Sequence, residues 1–241
     1  MRRRDFLAGS ASIGLAAVAP VFAEDATTQP RAIALPEAAA KLTPPADGSP
    51  IPVAFAISAA TTNIDWVGPE AAFQIWRYDA ATKKHVPRFK LFTVSDKLEP
   101  ASHIVPDYTF DTAPQPRVIV VPAQRGSDAL TAWLRKQHEQ RSADVIMSVC
   151  VGARHLARAG LLDGKEATTY HDAVDDLAKE FPQVKWVRNV RFVEHDRVST
   201  GGGLTAGIDL AIRVVQRYFG RDTAEEVAAA LEYQGRGWVV S

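Results

Sequence analysis

The chain contains a single cysteine, Cys150, in the stretch SVCVG. The apolar run DVIMSV leads into it, Gly152 follows two residues later, and GARHLARAGLL continues with helical spacing. A residue between a strand and a helix, with glycine close behind, can sit on a sharp turn that exposes its side chain above the sheet. The free N–H groups and positive dipole end of the following helix favour thiolate, which predicts a lowered cysteine pKa. The Val151 N–H is placed to stabilise an oxyanion. Position alone leaves a second reading open, because a free cysteine also packs inertly as a small hydrophobe.

Other chemistries find less support. The six histidines, at 85, 103, 138, 155, 171 and 195, show no metal-ligand spacing, so no metal site is expected. Gly201, Gly202, Gly203 and Gly207 lie late in the chain, after a hairpin pattern and without the strand–helix–strand context and downstream acid of a dinucleotide loop. No cofactor is expected. His155 and Arg158, on the helix after Cys150, read as solvated or interface residues. Trp66, Phe73 and Trp76 read as core or dimer surface.

The elements that must position the thiol follow from periodicity. Short apolar runs at 51–57, 88–95, 117–122 and 144–149 read as buried strands. Helical spacing covers 67–78, 127–141 with Ser127 as N-cap, 152–162, 171–181 and 205–219, the last closed by Gly220. A final helix is expected from Thr223, with Thr223 and Glu226 in capping-box register. EATTY reads as a strand, and a hairpin turns at His195-Asp196. Continuous apolar strands alternating with amphipathic helices imply an α/β fold, a flavodoxin-like three-layer sandwich whose mostly parallel sheet has helices on both faces. Ligands of such sheets bind at the carboxyl ends of strands, where Cys150 falls.

Residues 1–23 begin with Arg2, Arg3 and Arg4, continue with a weakly apolar run and end at Val21-Phe22-Ala23. This pattern predicts a twin-arginine signal peptide cut after Ala23, and hence a periplasmic protein. The run is shorter than the ~20 residues of a membrane span, so no stable anchor is expected after cleavage. Residues 24–50, rich in proline and alanine, read as an extended linker with a short helical turn at Pro36–Lys41; residues 51–241 form the domain. The 28 basic and 28 acidic residues give zero net charge, and no nucleic-acid partner is expected. A lone cysteine in an oxidising compartment cannot form an internal disulfide.

Three blocks, IDWVGPEAAF, SVCVGARHLARAGLLDGKEATTYH and STGGGLTAGIDLAIRVV, together resemble the DJ-1/PfpI superfamily of the class I glutamine-amidotransferase-like fold. Within it they look most like the isonitrile hydratase and regulator-associated branch. The resemblance implies that Cys150 is the elbow nucleophile and that Asp65 is the acidic residue approaching the thiol. A carboxyl group there can shuttle a proton, although residues alone also allow Asp65 a helix-start role ahead of Pro69. The Val151 N–H and the Gln124 N–H would be the oxyanion donors, Gln124 standing in a PAQRG turn where the family has PGG.G. Thr200, Gly201 and Gly202 match a glycine turn near the pocket. Tyr170 stands where the family often has histidine, with His171 one place later, and Val151 replaces a threonine found in isonitrile hydratases. The protease-like branch carries histidine directly after its cysteine, so peptidase chemistry is not expected.

The implied activity is a cofactor-independent, cysteine-dependent hydratase or hydrolase acting on a small electrophile such as an isonitrile. The alternative is a periplasmic ligand-binding or redox-sensing protein without catalysis. The resemblance also implies a homodimer. Related regulators append a helix-turn-helix domain, and with the chain ending soon after Tyr233 that role is not expected.

Overall fold

The computed structural model describes residues 31–79, 82–101 and 103–240. The expected signal peptide lies outside the described residues.

In chain order the elements are α1 Glu37–Ala40, β1 Ile51–Ala56, α2 Ile64–Phe73, β2 Trp76–Asp79, β3 Lys84–Pro87, β4 Phe89–Ser95, β5 Tyr108–Thr109, β6 Val118–Val121, α3 Asp128–Glu139, β7 Val145–Ser148, α4 Ala153–Arg158, β8 Glu166–Ala167, α5 Val174–Glu180, β9 Lys185–Trp186, β10 Phe192–Glu194, β11 Val198–Gly201, α6 Ala206–Phe219 and α7 Arg221–Ala230. Seven strands form the central sheet in the order β10-β11-β7-β6-β1-β4-β5. All its neighbours run parallel except β10 and β11, which pair antiparallel through the expected hairpin. The mostly parallel, helix-covered sheet is the α/β fold that the apolar runs predict.

Strand alternation serves two cores at once, since successive side chains point to opposite faces. Val53, Phe55, Val118, Val120, Val145 and Met147 join Phe73, Leu210 and Val214 on the α2/α6 side. Their neighbours Ala54, Ala56, Ile119, Val121 and Ile146 join Leu130, Leu156 and Leu177 on the α3/α4/α5 side. Both faces of these strands are therefore apolar, which explains why they read as continuous runs.

Several boundaries differ from expectation. Helix α2 starts at Ile64 and stops at Phe73, so Asp65 lies in its first turn and Pro69 lies inside it. Trp76 leaves the helix for the β2–β3 hairpin and is exposed, whereas Trp66 and Phe73 are core. Only Glu166–Ala167 of EATTY is strand; Thr168 and Thr169 instead turn their hydroxyls to backbone carbonyls. Ser127 caps α3 as expected, accepting from the Leu130 N–H at 3.1 Å. Helix α7 begins before Thr223, because Gly220 alone separates it from α6; the Thr223 hydroxyl donates to the Phe219 carbonyl rather than capping.

Residues 31–42 are held against the domain by a buried ion cluster. Glu194 accepts from Arg213 Nη2 at 2.9 Å and lies 3.4 Å from Arg217 Nη1, with all three side chains essentially inaccessible. Glu194 also accepts from the Leu35 N–H, Arg213 donates to the Leu35 carbonyl, and Arg217 donates to the Ala40 carbonyl at 2.7 Å. One carboxylate thus organises two guanidinium groups, and these fasten the incoming chain.

Removing one member of a buried ion pair strands its partner's charge, at about 3–5 kcal/mol. Glu194→Gln is therefore expected to lose about that much stability in urea denaturation. It should also open the 31–50 segment to protease at concentrations that leave the wild type intact.

Candidate active site

Cys150 opens a short 3-10 turn after β7 and has φ 57°, in the left-handed region that side chains other than glycine rarely adopt. Several contacts hold it there. Its N–H donates to the Gly202 carbonyl at 2.8 Å, and its own carbonyl accepts from the Thr169 hydroxyl at 2.9 Å. Gly152 lies directly against the end of β6. A Cβ there would collide with the Val121 carbonyl oxygen and sit 2.9 Å from Pro122, so only glycine lets the chain turn this close to the sheet. The thiol ends nearly buried, at 6% exposure, above the carboxyl edge of β7.

Asp65 reaches the same place from α2 and is fully buried. Its Oδ2 accepts from the Ala123 N–H at 3.1 Å; Oδ1 has no partner of hydrogen-bond geometry. Burial pushes the carboxyl group up to about 6, opposed by the Ala123 N–H and by the nearby thiol. The Cys150 thiol is pushed up to about 11, by burial first and by the charge of Asp65 second. The backbone N–H groups of Val151 and Leu204 act in the opposite direction, towards thiolate, and are outweighed. The lowered thiol pKa expected from a helix N-terminus is thus corrected. Helix α4 has only six residues, and a buried carboxylate faces the sulfur.

The turn after β6 carries Gln124, the other expected donor. The Ala123 carbonyl accepts from the Thr62 N–H at 2.8 Å, and the Arg125 N–H donates to the Ala59 carbonyl at 3.0 Å. Between them, the Gln124 N–H has no acceptor among the described residues. This is the arrangement an oxyanion donor needs: a fixed peptide with an unspent N–H.

The remaining candidates separate. Tyr170 packs against Gly203 near the elbow, and the charge of Asp172 holds its phenol above the usual range, keeping it a neutral donor. His171 pairs with its neighbour instead of the thiol. Its ring is largely exposed and lies 3.2 Å from Asp172 Oδ1. Thr200 is buried and accepts from the Thr168 N–H, so it supports the block that carries Thr169. Gly201 and Gly202 bring β11 alongside, and Gly202 receives the Cys150 N–H. A cavity of about 140 Å³, lined in part by Thr169, His171, Arg188, Arg191 and Gly202, adjoins the elbow through Thr169 and Gly202. Among the described residues, no three His, Cys, Asp or Glu side chains gather to hold a metal ion.

Sequence reasoning missed Thr169, Leu204 and His155. Thr169 carried a signal in the ATTY block. Leu204 acts only through its backbone, which no side-chain pattern announces. His155, read as a solvated or interface residue, is 2% exposed and packs inside the subunit against the Gln124 turn.

A parallel sheet with a cysteine elbow facing a buried carboxylate at its carboxyl edge defines a class of α/β proteins. The chain belongs to the DJ-1/PfpI family, whose model matches residues 53–217. It is 40% identical over 134 residues to an isonitrile hydratase of Pseudomonas putida, covering 53% of this chain and 57% of that one. It is 32% identical over 107 residues to the transcriptional regulator CdhR of Pseudomonas aeruginosa, covering 44% of this chain and 31% of that one. The matches thus span little more than half, or less, of these curated relatives' lengths. Among solved structures, a ThiJ/PfpI family protein from Pseudomonas syringae superposes with TM-score 0.58 at 28% identity, over 78% of this chain and 76% of that one.

Because the folded protein holds the Asp65 proton more tightly than the unfolded chain does, ionised Asp65 destabilises the fold. That cost is absent below the ordinary value of 3.8, grows as pH rises and is complete above about 6. Asp65→Asn should therefore raise the melting temperature at pH 7–8, with the gain vanishing towards pH 4. It should also lower the thiol pKa measured by pH-dependent alkylation, because the charge of Asp65 is, after burial, the largest cause holding it up.

Proposed function

We propose that the protein is a cysteine-dependent hydratase or hydrolase acting on a small electrophilic carbon, with an isonitrile as the first substrate to try. The observation that carries this reading is the pairing of a strained, left-handed Cys150 with a buried Asp65 whose carboxyl group titrates at about 6. A base with a pKa near neutrality can both take and return a proton under working conditions.

The thiol is protonated at rest, so its proton must leave as sulfur attacks. Asp65 takes it while Sγ bonds to the isonitrile carbon, and returns it to that carbon to give an S-bound thioimidate. Water then adds to the C=N carbon while nitrogen gains a proton. The C–S bond breaks, sulfur recovers a proton, and an N-substituted formamide leaves. The N–H groups of Val151 and Gln124 hold the charge that develops. Val151 lacks the hydroxyl of a threonine at this position, so Asp65 and the backbone carry the proton transfer and the charge without it.

A second reading, ligand binding without turnover, is favoured by one observation. A thiol pushed to about 11 is almost entirely un-ionised at neutral pH. The same value argues against redox sensing, since thiolate is the form that oxidises readily. Export through residues 1–23 and homodimerisation belong to the proposal as well. They are supported by the arginine-led N-terminal pattern and by the family resemblance respectively.

Turnover of a panel of aryl and alkyl isonitriles, followed by formamide release, separates the readings. Cys150→Ala should abolish turnover and Asp65→Asn should lower it by about 10²–10⁴-fold, the usual contribution of a positioned acid–base group. Saturable binding of the same compounds, unchanged in Cys150→Ala and with no product from the wild type, would establish the binding reading instead.

A further inference from the structure

We infer that His155 is a positioning residue that clamps the Gln124 turn, so that the elbow and the helix that follows it together set both backbone donors of the site. The inference rests on the reading of Gln124 as an oxyanion donor.

His155 lies on α4, five residues after Cys150, and is 2% exposed. Its Nε2 is 3.1 Å from the Gln124 carbonyl oxygen. A carbonyl only accepts, so Nε2 carries the proton and Nδ1 the lone pair. Nδ1 is buried without a partner, a cost tolerated for the contact on the other side of the ring. Burial holds the imidazole below its usual range and favours the neutral ring, opposed by the bond to the Gln124 carbonyl, with Arg158 and Arg154 acting alongside burial and Glu180 against it.

The fit between ring and turn is close. Gly126 has φ 69°, and a Cβ on it would lie 2.7 Å from His155 Nδ1 and nearer still to Cε1. The glycine therefore leaves room for the imidazole directly under the turn. The other polar backbone groups of residues 123–126 that meet a partner find it on residues 58–65. Ala123 bonds Asp65 and Thr62, Arg125 bonds Ala59, and Gly126 bonds the Ser58 hydroxyl at 3.0 Å. The peptide before Gln124 is fixed by Thr62, and the peptide after it by His155 on the oxygen and Ala59 on the nitrogen. Gln124 is held from both sides, and its N–H cannot rotate away. Since α4 directly follows the turn that aims the Val151 N–H, the spacing of the two donors is set within the continuous segment 150–158.

Two variants test this. His155→Leu removes the donor, whereas His155→Gln puts an amide N–H near the Nε2 position. With an aryl isonitrile as substrate, His155→Leu should lower kcat by about 100-fold, as a misplacement of about 1 Å does. KM and the pH profile of Cys150 alkylation by iodoacetamide should stay as in the wild type, and His155→Gln should recover most of the lost kcat. Unchanged kcat in His155→Leu, equal loss in both variants, or a parallel change in the alkylation profile would each overturn the assignment. Should the wild type show no turnover, the functional reading fails separately. The clamp is then judged by amide hydrogen exchange and ¹H–¹⁵N resonances of Gln124 and Arg125. These should change in His155→Leu and revert in His155→Gln; no change in His155→Leu overturns it.

Discussion

The left-handed backbone of Cys150 is the constraint around which the site is organised. A non-glycine residue in that conformation costs of order 1–3 kcal/mol and persists only where its surroundings over-determine it. Here three separate chain segments do so. The Gly202 carbonyl after β11 holds the Cys150 N–H, the Thr169 hydroxyl holds its carbonyl, and Gly152 lets the turn press against the end of β6. The register of β11, β7 and β6 brings those segments to one edge, so the sheet order and the thiol's position are one fact seen at two scales.

Electrostatics then decides how the thiol behaves. Two backbone amides favour thiolate, but burial and an adjacent carboxylate favour the thiol, and the second pair wins. The resting site is therefore a protonated sulfur beside a carboxyl group of raised proton affinity. Such a cysteine differs from the readily ionised kind that sits exposed at the start of a long helix. Asp65 carries a second duty, since its Oδ2 also holds the Ala123 N–H. The carboxyl group beside the thiol and the turn that carries Gln124 are joined through a single side chain.

What could be read from the residues was what is local. Apolar runs announced the strands because both faces of each are buried, and DVIMSVCVG announced the elbow because strand, cysteine and glycine are contiguous. Asp65 lies far from Cys150 in sequence, and family resemblance rather than spacing pointed to it. The end of α2 at Phe73 escaped notice because Ile75-Trp76 continues a helical spacing that the β2–β3 hairpin overrides. His155 was misplaced for a related reason. A histidine on a short helix looks solvated until a glycine in a distant turn is seen to make room for its ring. The docking of residues 31–42 depends on arginines more than 170 positions away, as in the Arg213–Leu35 and Arg217–Ala40 bonds, and no local pattern encodes it.

That docking has a consequence at the margin of the sheet. β10 is a terminal strand, and a terminal strand offers unpaired N–H and C=O groups to any other extended chain. Ile33 runs parallel to Val193, donates to the Phe192 carbonyl at 2.9 Å and accepts from the Glu194 N–H at 2.7 Å. The proline-rich stretch thereby occupies the groups through which neighbouring molecules could stack strand on strand. Glu194, by fastening that stretch, keeps this edge of the sheet covered as well as joining the ion cluster.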